Sequence, residues 1–302
     1  MITLFEPMGR IGFYFFYAVN WIVTLLPLGI LYLFSDALFL LLYYYPGYRR
    51  KVVSTNLRNA FPDKTPEERK VIEKKFYRHL ADLFVETLKL THLSNKQLLK
   101  RFIFTNPGLV NRLFKEDRDV AVVLSHYNNW EWLGTCLPLY TLHKNISIYK
   151  PLQNKLFNQF LNKLRSRNNL GLVTMSGILR EIITNRRKNE AVIYGFIADQ
   201  TPPLPDIRYW TTFLNQDTPV YLGPERLAAK FDMYLVFFNV QKVKRGYYTF
   251  TAETLFEHTN GLPEHWVTDS HVKRLEEIIR EKPEYWIWSH RRWKHKKPSQ
   301  ND

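Results

Sequence analysis

The chain has 302 residues, a formal net charge of +15 and 45% hydrophobic residues, which suits one large domain or two small ones with a sizeable core. Its single cysteine, Cys136, excludes an intramolecular disulfide and a multi-cysteine zinc site. Because this cysteine lies in an apolar segment, we expect it to be a small core residue.

The N-terminal region is long, apolar and uncharged. No charged side chain occurs in the range 11–34, which is about the length needed to cross a bilayer. A basic run at 49–51 then predicts that the rest of the chain faces the cytoplasm, by the positive-inside rule. We therefore expect an N-terminal membrane helix in an anchor at 1–48 and a cytoplasmic domain at 49–302. Pro27 and Asp36 also permit a hairpin that enters the membrane and returns, and a buried helix of a soluble protein is a further alternative.

Strands and helices are predicted to alternate in the remainder of the chain. Thr65, Pro66 and Glu68 form a helix-start signature, the capping box, and apolar residues at helical spacing follow it. From about residue 117, the pattern predicts an α/β fold with a central, mostly parallel sheet flanked by helices. The predicted strands are 120–124, 146–149, 171–175, 191–197, 234–240 and 248–252, and the predicted helices are 130–142, 155–166, 178–187, 224–231 and 270–280.

Residues that suit acid–base chemistry follow the first of these strands. His126 comes directly after strand 120–124, and Glu131 comes five residues later. Neutral imidazole can remove a hydroxyl proton near pH 7, and a carboxylate on its other nitrogen fixes the tautomer. On a regular helix, two side chains five positions apart point in different directions. The pair can therefore meet only if His126 precedes the helix and Glu131 lies in its first turns. The same spacing also fits a helix-capping segment with an incidental histidine.

Several other chemistries lack their sequence signatures. The chain contains no phosphate-binding G-x-x-x-x-G-K-[ST], no G-x-G-x-x-G, no H-E-x-x-H and no G-x-S-x-G nucleophile elbow. His290 and His295 lie in a basic stretch with only Glu284 near in sequence. We therefore predict no metal site and no cofactor.

A combination of motifs along the chain is typical of one family. It comprises H-x4-E after a strand, the strand-end pair Asp199-Gln200 and the block W-S-H-R-R-W-K at 288–294. With these motifs, the chain resembles the bacterial lipid A biosynthesis acyltransferases, within the lysophospholipid acyltransferase superfamily, over nearly its whole length. It departs from the family pattern at 201–205 and at 215–216, where glycines are expected, and both departures bear on the shape of the acceptor pocket.

The resemblance implies transfer of a fatty acyl chain from an acyl-carrier-protein thioester to a hydroxyl of a lipid A precursor. It places the enzyme at the bacterial inner membrane with its catalytic domain facing the cytoplasm. His126 is then the expected general base, Glu131 the residue that orients it, and Arg165 the cation that stabilises the oxyanion, with Arg167 as the second choice.

The resemblance also indicates residues that bind substrate. They are Arg167, Asp199, Gln200, Arg291 and Arg292. Asp199 is expected to hold an arginine or to position a loop. The two C-terminal arginines are expected either to bind a substrate phosphate or to lock the C-terminal segment.

The positive net charge agrees with the expected partners, which are an acidic carrier protein, a phosphorylated lipid and an anionic membrane. No nucleic-acid partner is expected, because no recognised binding motif is present. Three alternatives remain open from the sequence: a membrane-tethered nucleic-acid binder that uses the basic stretch 290–297, a catalytically silent membrane scaffold, and an acyltransferase with a lysophospholipid or another lipid as acceptor.

Overall fold

The structure, a computed structural model, describes residues 9–45 and 47–298. Residues 1–8, Pro46 and 299–302, which belong to the expected anchor and domain, lie outside this description. The strands are β1 (Phe102–Phe104), β2 (Val120–Leu124), β3 (Lys144–Tyr149), β4 (Gly171–Thr174), β5 (Val192–Ile197), β6 (Tyr209–Phe213), β7 (Gln216–Val220), β8 (Tyr234–Lys244) and β9 (Tyr247–Phe256).

These strands form two sheets in the described part of the chain. The larger has seven strands in the order β1-β9-β8-β2-β5-β3-β4, and the smaller is the β6-β7 hairpin. In the larger sheet β8 and β9 pair antiparallel, and the other neighbours pair parallel. The predicted α/β fold with a mostly parallel central sheet is therefore confirmed.

Helices cover both faces of the large sheet. In β2, Ala121 and Val123 belong to one hydrophobic cluster, and Val120 and Val122 belong to the other. A strand that is buried on both faces has a continuous apolar sequence, as this one does. The helices are α1 (Arg10–Val23), α2 (Leu28–Tyr44), α3 (Arg50–Ala60), α4 (Pro66–Lys89), α5 (Asn95–Arg101), α6 (Pro107–Lys115), α7 (Trp130–Cys136), α8 (Lys155–Arg165), α9 (Ile178–Arg187), α10 (Gly223–Phe231) and α11 (Trp266–Glu281).

Most predicted elements are present, and one helix was predicted too long. The helix expected at 130–142 ends as α7 at Cys136 and continues as a short 3-10 turn, Leu137–Leu139. Pro138 has no N–H group to donate to the preceding turn, which ends the regular helix. The predicted capping box is confirmed, because Thr65 Oγ1 accepts from the Glu68 amide and the Glu68 carboxylate accepts from the Thr65 amide.

The N-terminal region forms two helices, α1 and α2, which are separated at 24–27. Aromatic side chains of α1 pack on α8, with the rings of Phe13 and Phe157 5.1 Å apart. On α2, the Ser35 hydroxyl donates to Asp82 of α4 at 2.7 Å. Within 9–45 and 47–298, no helix is both long enough and apolar enough to cross a membrane. The expected membrane-spanning helix is therefore not confirmed.

The outer sides of α1 and α2 are apolar and exposed. We call this surface the N-terminal apolar face and define it by five side chains. Their exposed fractions are 88% for Ile11, 72% for Phe15, 66% for Ile22, 68% for Leu33 and 59% for Leu41. An exposed apolar surface of this kind is typical of an interaction site.

A buried lysine of α4 connects the two N-terminal helices to the domain. Lys89 Nζ donates to the carbonyl oxygens of Thr24 and Leu26 at 2.6 and 2.9 Å. These carbonyls follow the end of α1, where intrahelical donors are missing. Lys89 therefore satisfies backbone groups in the segment that separates α1 from α2.

Substitution of Lys89 by Met should lower the free energy of unfolding by about 1–3 kcal/mol, because the buried Thr24 carbonyl and the partly buried Leu26 carbonyl lose their donor. Urea denaturation would measure the loss. Lys96→Met is the matched control, since Lys96 is exposed on α5. Equal stability of the two variants would show that Lys89 does not hold this segment.

Candidate active site

The register between β2 and β5 brings two predicted site residues together. The strands are parallel neighbours, and Leu124 is paired with Ile197. His126 and Asp199 each lie two positions beyond this pair, so both side chains are at the carboxyl edge of the sheet. His126 Nδ1 is 2.7 Å from Asp199 Oδ1, and the His126 backbone amide donates to Asp199 Oδ2 at 3.0 Å.

Asp199 is a buried carboxylate with several hydrogen-bond donors. Its side chain is 1% exposed, and Trp286 Nε1 donates to its Oδ2 at 2.9 Å. Burial by itself raises the pKa of Asp199, but the charge of His126 and the hydrogen bonds from His126 and Trp286 together lower that pKa below its usual value. Asp199 is therefore a carboxylate at neutral pH that can orient and stabilise a charged imidazole.

The hydrogen bond to Asp199 determines the tautomer that we assign to His126. With a carboxylate at Nδ1, that nitrogen carries the proton, and Nε2 has a free lone pair. The Gln200 amide nitrogen lies 3.2 Å from Nε2 and can donate to it. The His126 side chain is 18% exposed, so part of the ring is accessible to solvent.

Glu131 lies at its predicted position in the chain, but its carboxylate pairs with a residue other than the expected His126. His126 precedes α7 and Glu131 is in its first turn, yet the Glu131 carboxylate pairs with Arg165 of α8. Arg165 Nε donates to Glu131 Oε2 at 2.8 Å, and a second guanidinium nitrogen donates to Oε1. The expected orientation of His126 by Glu131 is thus not confirmed, and the carboxylate on His126 Nδ1 belongs to Asp199.

The ion pair between Glu131 and Arg165 is largely buried, with side chains 8% and 20% exposed. Burial raises the pKa of Glu131, but the charge and hydrogen bonds of Arg165 outweigh burial and keep that pKa below its usual value. Burial lowers the pKa of Arg165, while Glu131 raises it, and the net direction is upward. Both groups are therefore charged at neutral pH, and each stabilises the charge of the other.

The loop that carries His126 is held by the C-terminal segment. Tyr127 forms an isolated β-bridge with Trp286, and the Asn128 amide donates to the Tyr285 carbonyl at 3.0 Å. Asn128 has φ +54°, a left-handed conformation that asparagine adopts more readily than most residues. Its side chain donates to the Val240 carbonyl at 2.6 Å, which fixes the loop against β8.

Asn129 begins α7, and its side chain makes two hydrogen bonds. Its Oδ1 accepts from the Trp132 amide at 2.9 Å, as an N-cap residue does. Its Nδ2 donates to the carboxylate of Glu86 on α4 at 2.7 Å. The start of α7, and with it Glu131, is therefore positioned by a residue of a distant helix.

Two of the expected substrate-binding arginines make structural contacts. Arg292 is 2% exposed, and the Thr201 hydroxyl donates to its carbonyl oxygen. Burial lowers the pKa of Arg292 to about 10, although the charge of Asp199 acts in the opposite direction. Arg167 donates to the Leu90 and Leu93 carbonyls beyond the end of α4, the second at 2.7 Å.

The remaining expected residues differ in their environment. Arg291 is exposed, and Gln200 contacts the His126 ring. Cys136 is buried, as predicted, and burial raises its pKa to about 12. Among the residues that the structure describes, no cluster of three histidine, cysteine or acidic side chains could hold a metal ion.

Sequence reasoning did not assign roles to Trp286 and Glu86. Trp286 lies within a segment of dense aromatic residues, and this density was the only local sign of its position at the site. Glu86 is a carboxylate in a largely apolar part of α4, one turn after Asp82, and an acidic residue at an apolar helix position is the signal that could have identified it.

Comparisons with known proteins agree with the motifs. The family described as bacterial lipid A biosynthesis acyltransferase matches residues 3–295. A lipid A biosynthesis palmitoleoyltransferase of Escherichia coli (strain K12) is 24% identical over 252 residues, which cover 82% of this chain and 79% of the relative. A lipid A biosynthesis acyltransferase of Shigella flexneri has the same identity and coverage. Because the family match extends over nearly the whole sequence, the chain belongs to the bacterial lipid A biosynthesis acyltransferase family.

Proposed function

We propose that this protein transfers a fatty acyl chain from an acyl-carrier-protein thioester to a hydroxyl of a lipid A precursor. The observation that carries the proposal is the His126–Asp199 pair at the carboxyl edge of the parallel strands, in a chain of this family. With Asp199 on Nδ1, the lone pair of His126 Nε2 is directed away from the pair, and a hydroxyl acceptor needs such a base.

In the proposed reaction, His126 Nε2 takes the proton of the acceptor hydroxyl as the oxygen attacks the thioester carbonyl carbon. Asp199 holds the ring and stabilises the imidazolium that forms. When the tetrahedral intermediate collapses, the carbon–sulfur bond breaks and the leaving thiolate takes the proton from His126. The products are the acylated hydroxyl and the free carrier thiol, and His126 returns to its neutral form.

The negative charge on the carbonyl oxygen needs a partner in this mechanism, and Arg165 is our choice for it. Glu131 binds the edge of the guanidinium that carries Nε, which leaves other N–H groups of Arg165 for the substrate. A positioned donor to such an oxyanion is commonly worth about 3–4 kcal/mol of transition-state stabilisation. Glu131 is then the residue that holds Arg165 in place.

Gln200 lies at the position that the acceptor hydroxyl would take. Its amide contacts His126 Nε2, so it must either give way to the hydroxyl or hydrogen-bond to it once it is bound. We propose that Gln200 helps to orient the acceptor, which agrees with its expected role in substrate binding.

The first experiment offers acyl-carrier-protein thioesters to the purified chain in detergent, with a lipid A precursor and, separately, with a lysophospholipid. We expect acylation of the lipid A precursor, and His126→Ala should reduce its rate about 10²- to 10⁴-fold, because the general base is lost. His258→Ala is the matched control, since His258 forms an exposed pair with Asp232 at 2.8 Å. Product only on the lysophospholipid would show that the acceptor is a lysophospholipid. A fully active His126→Ala variant would refute the mechanism.

A second comparison tests which carboxylate serves His126. Asp199→Asn should lower kcat by about a hundredfold or more, because the acceptor at Nδ1 loses its charge. Glu131→Gln should act through Arg165, so its effect should not add to that of Arg165→Met. Steady-state kinetics would measure both, with Asp232→Asn as the control. Near-normal kcat in Asp199→Asn with strong loss in Glu131→Gln would assign the orienting role to Glu131 instead.

We further propose that the N-terminal apolar face binds the surface of the inner membrane, with the site facing the cytoplasm. Large exposed apolar side chains gain about 25 cal/mol for each Å² removed from water. The net charge of +15 favours an anionic surface, where each nearby Lys or Arg contributes about 1 kcal/mol.

The double variant Ile11→Asp/Ile22→Asp should bind vesicles that contain anionic lipid at least about tenfold more weakly than the unmodified chain, because two charged groups would enter the interface. Co-sedimentation with such vesicles would measure binding. Leu142→Asp is the control, since Leu142 is 58% exposed and lies outside this face. Equally weakened vesicle binding in the double variant and in Leu142→Asp would count against a specific membrane-binding face.

A further inference from the structure

Glu86 of α4 is a fully buried carboxylate that accepts hydrogen bonds from three different elements. Its Oε1 accepts from the Tyr32 hydroxyl of α2 at 2.7 Å. Its Oε2 accepts from Asn129 Nδ2 at 2.7 Å and from the Tyr248 hydroxyl of β9 at 2.8 Å. A buried carboxylate costs folding free energy unless donors surround it, and an apolar side chain of similar size avoids that cost. Its presence here therefore calls for a role beyond packing.

The contact with Asn129 determines which way that amide faces. Burial raises the pKa of Glu86 to about 7, so the orientation is fixed from the other side of the amide. The Trp132 backbone N–H can only donate, so Asn129 Oδ1 accepts from it and Asn129 Nδ2 points to Glu86. The backbone carbonyl of Glu86 also accepts from Trp132 Nε1 at 2.9 Å. Glu86 thus holds two residues at the start of α7 by both its side chain and its backbone.

The start of α7 is the part of the chain that connects the two ion-pair systems of the site. Asn129 lies three residues after His126 and two before Glu131. Between them, the Trp130 ring contacts the His126 ring edge-on, with centroids 5.0 Å apart. A rotation of α7 about its first turn would therefore move Glu131, and with it Arg165, relative to His126.

The same carboxylate reaches the N-terminal helices. Tyr32 belongs to α2, the helix that carries part of the N-terminal apolar face, and Glu86 lies between Tyr32 and Asn129. The hydrogen bonds form a continuous path from α2 through α4 to α7.

We propose that Glu86 is a positioning residue for the site: it holds Asn129 and the start of α7 in place, and through Tyr32 it connects this part of the site to the N-terminal helices. The proposal rests on the proposed function, since it assigns Glu86 a role in acyl transfer. Glu86 touches no reacting atom and acts through Asn129.

Two variants break the central contact in different ways. Glu86→Met keeps the approximate size of the side chain but removes both oxygens that accept from Tyr32, Asn129 and Tyr248. Asn129→Ser keeps a good N-cap for α7 but is too short to reach Glu86. Asp119→Asn is the control, because Asp119 is also a buried carboxylate, and it accepts from the Val192 amide and from Arg186 at the opposite end of β2.

Hydrogen exchange of the full chain provides a readout that does not depend on activity. Amides at 126–133 should exchange at least about tenfold faster in Glu86→Met and in Asn129→Ser, while other protected amides change less. Both variants should lower kcat by about ten- to a hundredfold with a smaller effect on KM, since misplaced catalytic groups impair chemistry more than binding. The kcat of the double variant should be no lower than that of the less active single variant, because both changes break the same contact between Glu86 and Asn129. Tyr32→Phe should also lower kcat.

Several outcomes would overturn the proposal. Unchanged exchange at 126–133 in both folded variants would show that Glu86 does not hold this segment. Additive losses in the double variant, or the same local exchange in Asp119→Asn, would assign the effects to general destabilisation. If the unmodified chain transfers no acyl group, the proposed function fails, and the exchange data alone then decide whether Glu86 holds the start of α7.

Discussion

The pairing of β2 with β5 is the constraint on which the site depends. Because the strands are parallel and Leu124 lies opposite Ile197, the residues two positions beyond this pair meet at one edge of the sheet. Asp199 there accepts from the ring and the backbone of His126 and from Trp286. These donors offset the free-energy cost of burying its charge. The sheet, through its register, thus determines which carboxylate contacts the histidine.

The two carboxylates of the site have separate partners, and this separation gives them different chemical capacities. Asp199 faces an imidazole whose second nitrogen can accept a proton from a substrate, whereas Glu131 faces a guanidinium that stays charged. One pair is suited to proton transfer and the other to holding a fixed positive charge. In the proposed reaction both capacities are needed at neighbouring atoms, those of the attacking hydroxyl and of the carbonyl oxygen.

Support for the site comes from parts of the chain that are far apart in sequence. The C-terminal segment contributes Trp286 and the Tyr285 carbonyl, β8 contributes the Val240 carbonyl, and α4 contributes Glu86. Loops tolerate unusual backbone conformations, such as that of Asn128, only where surrounding contacts hold them. The dense aromatic block after α11 therefore belongs to the architecture of the site as well as to the hydrophobic core.

The sequence by itself determined the elements whose signals are local. Strand 120–124 and helix 178–187 lie where they were predicted, and His126 and Asp199 were both placed at strand ends. Strand pairing, burial and helix breaks decided which side chains meet at the site and where the N-terminal helices end. The tertiary structure gave His126 its partner Asp199, paired Glu131 with Arg165 and buried Arg292, and the apolar run at 11–34 became two helices. The physical reason is that hydrogen bonds and ion pairs form between side chains that are close in space, and spacing along a chain does not specify that closeness.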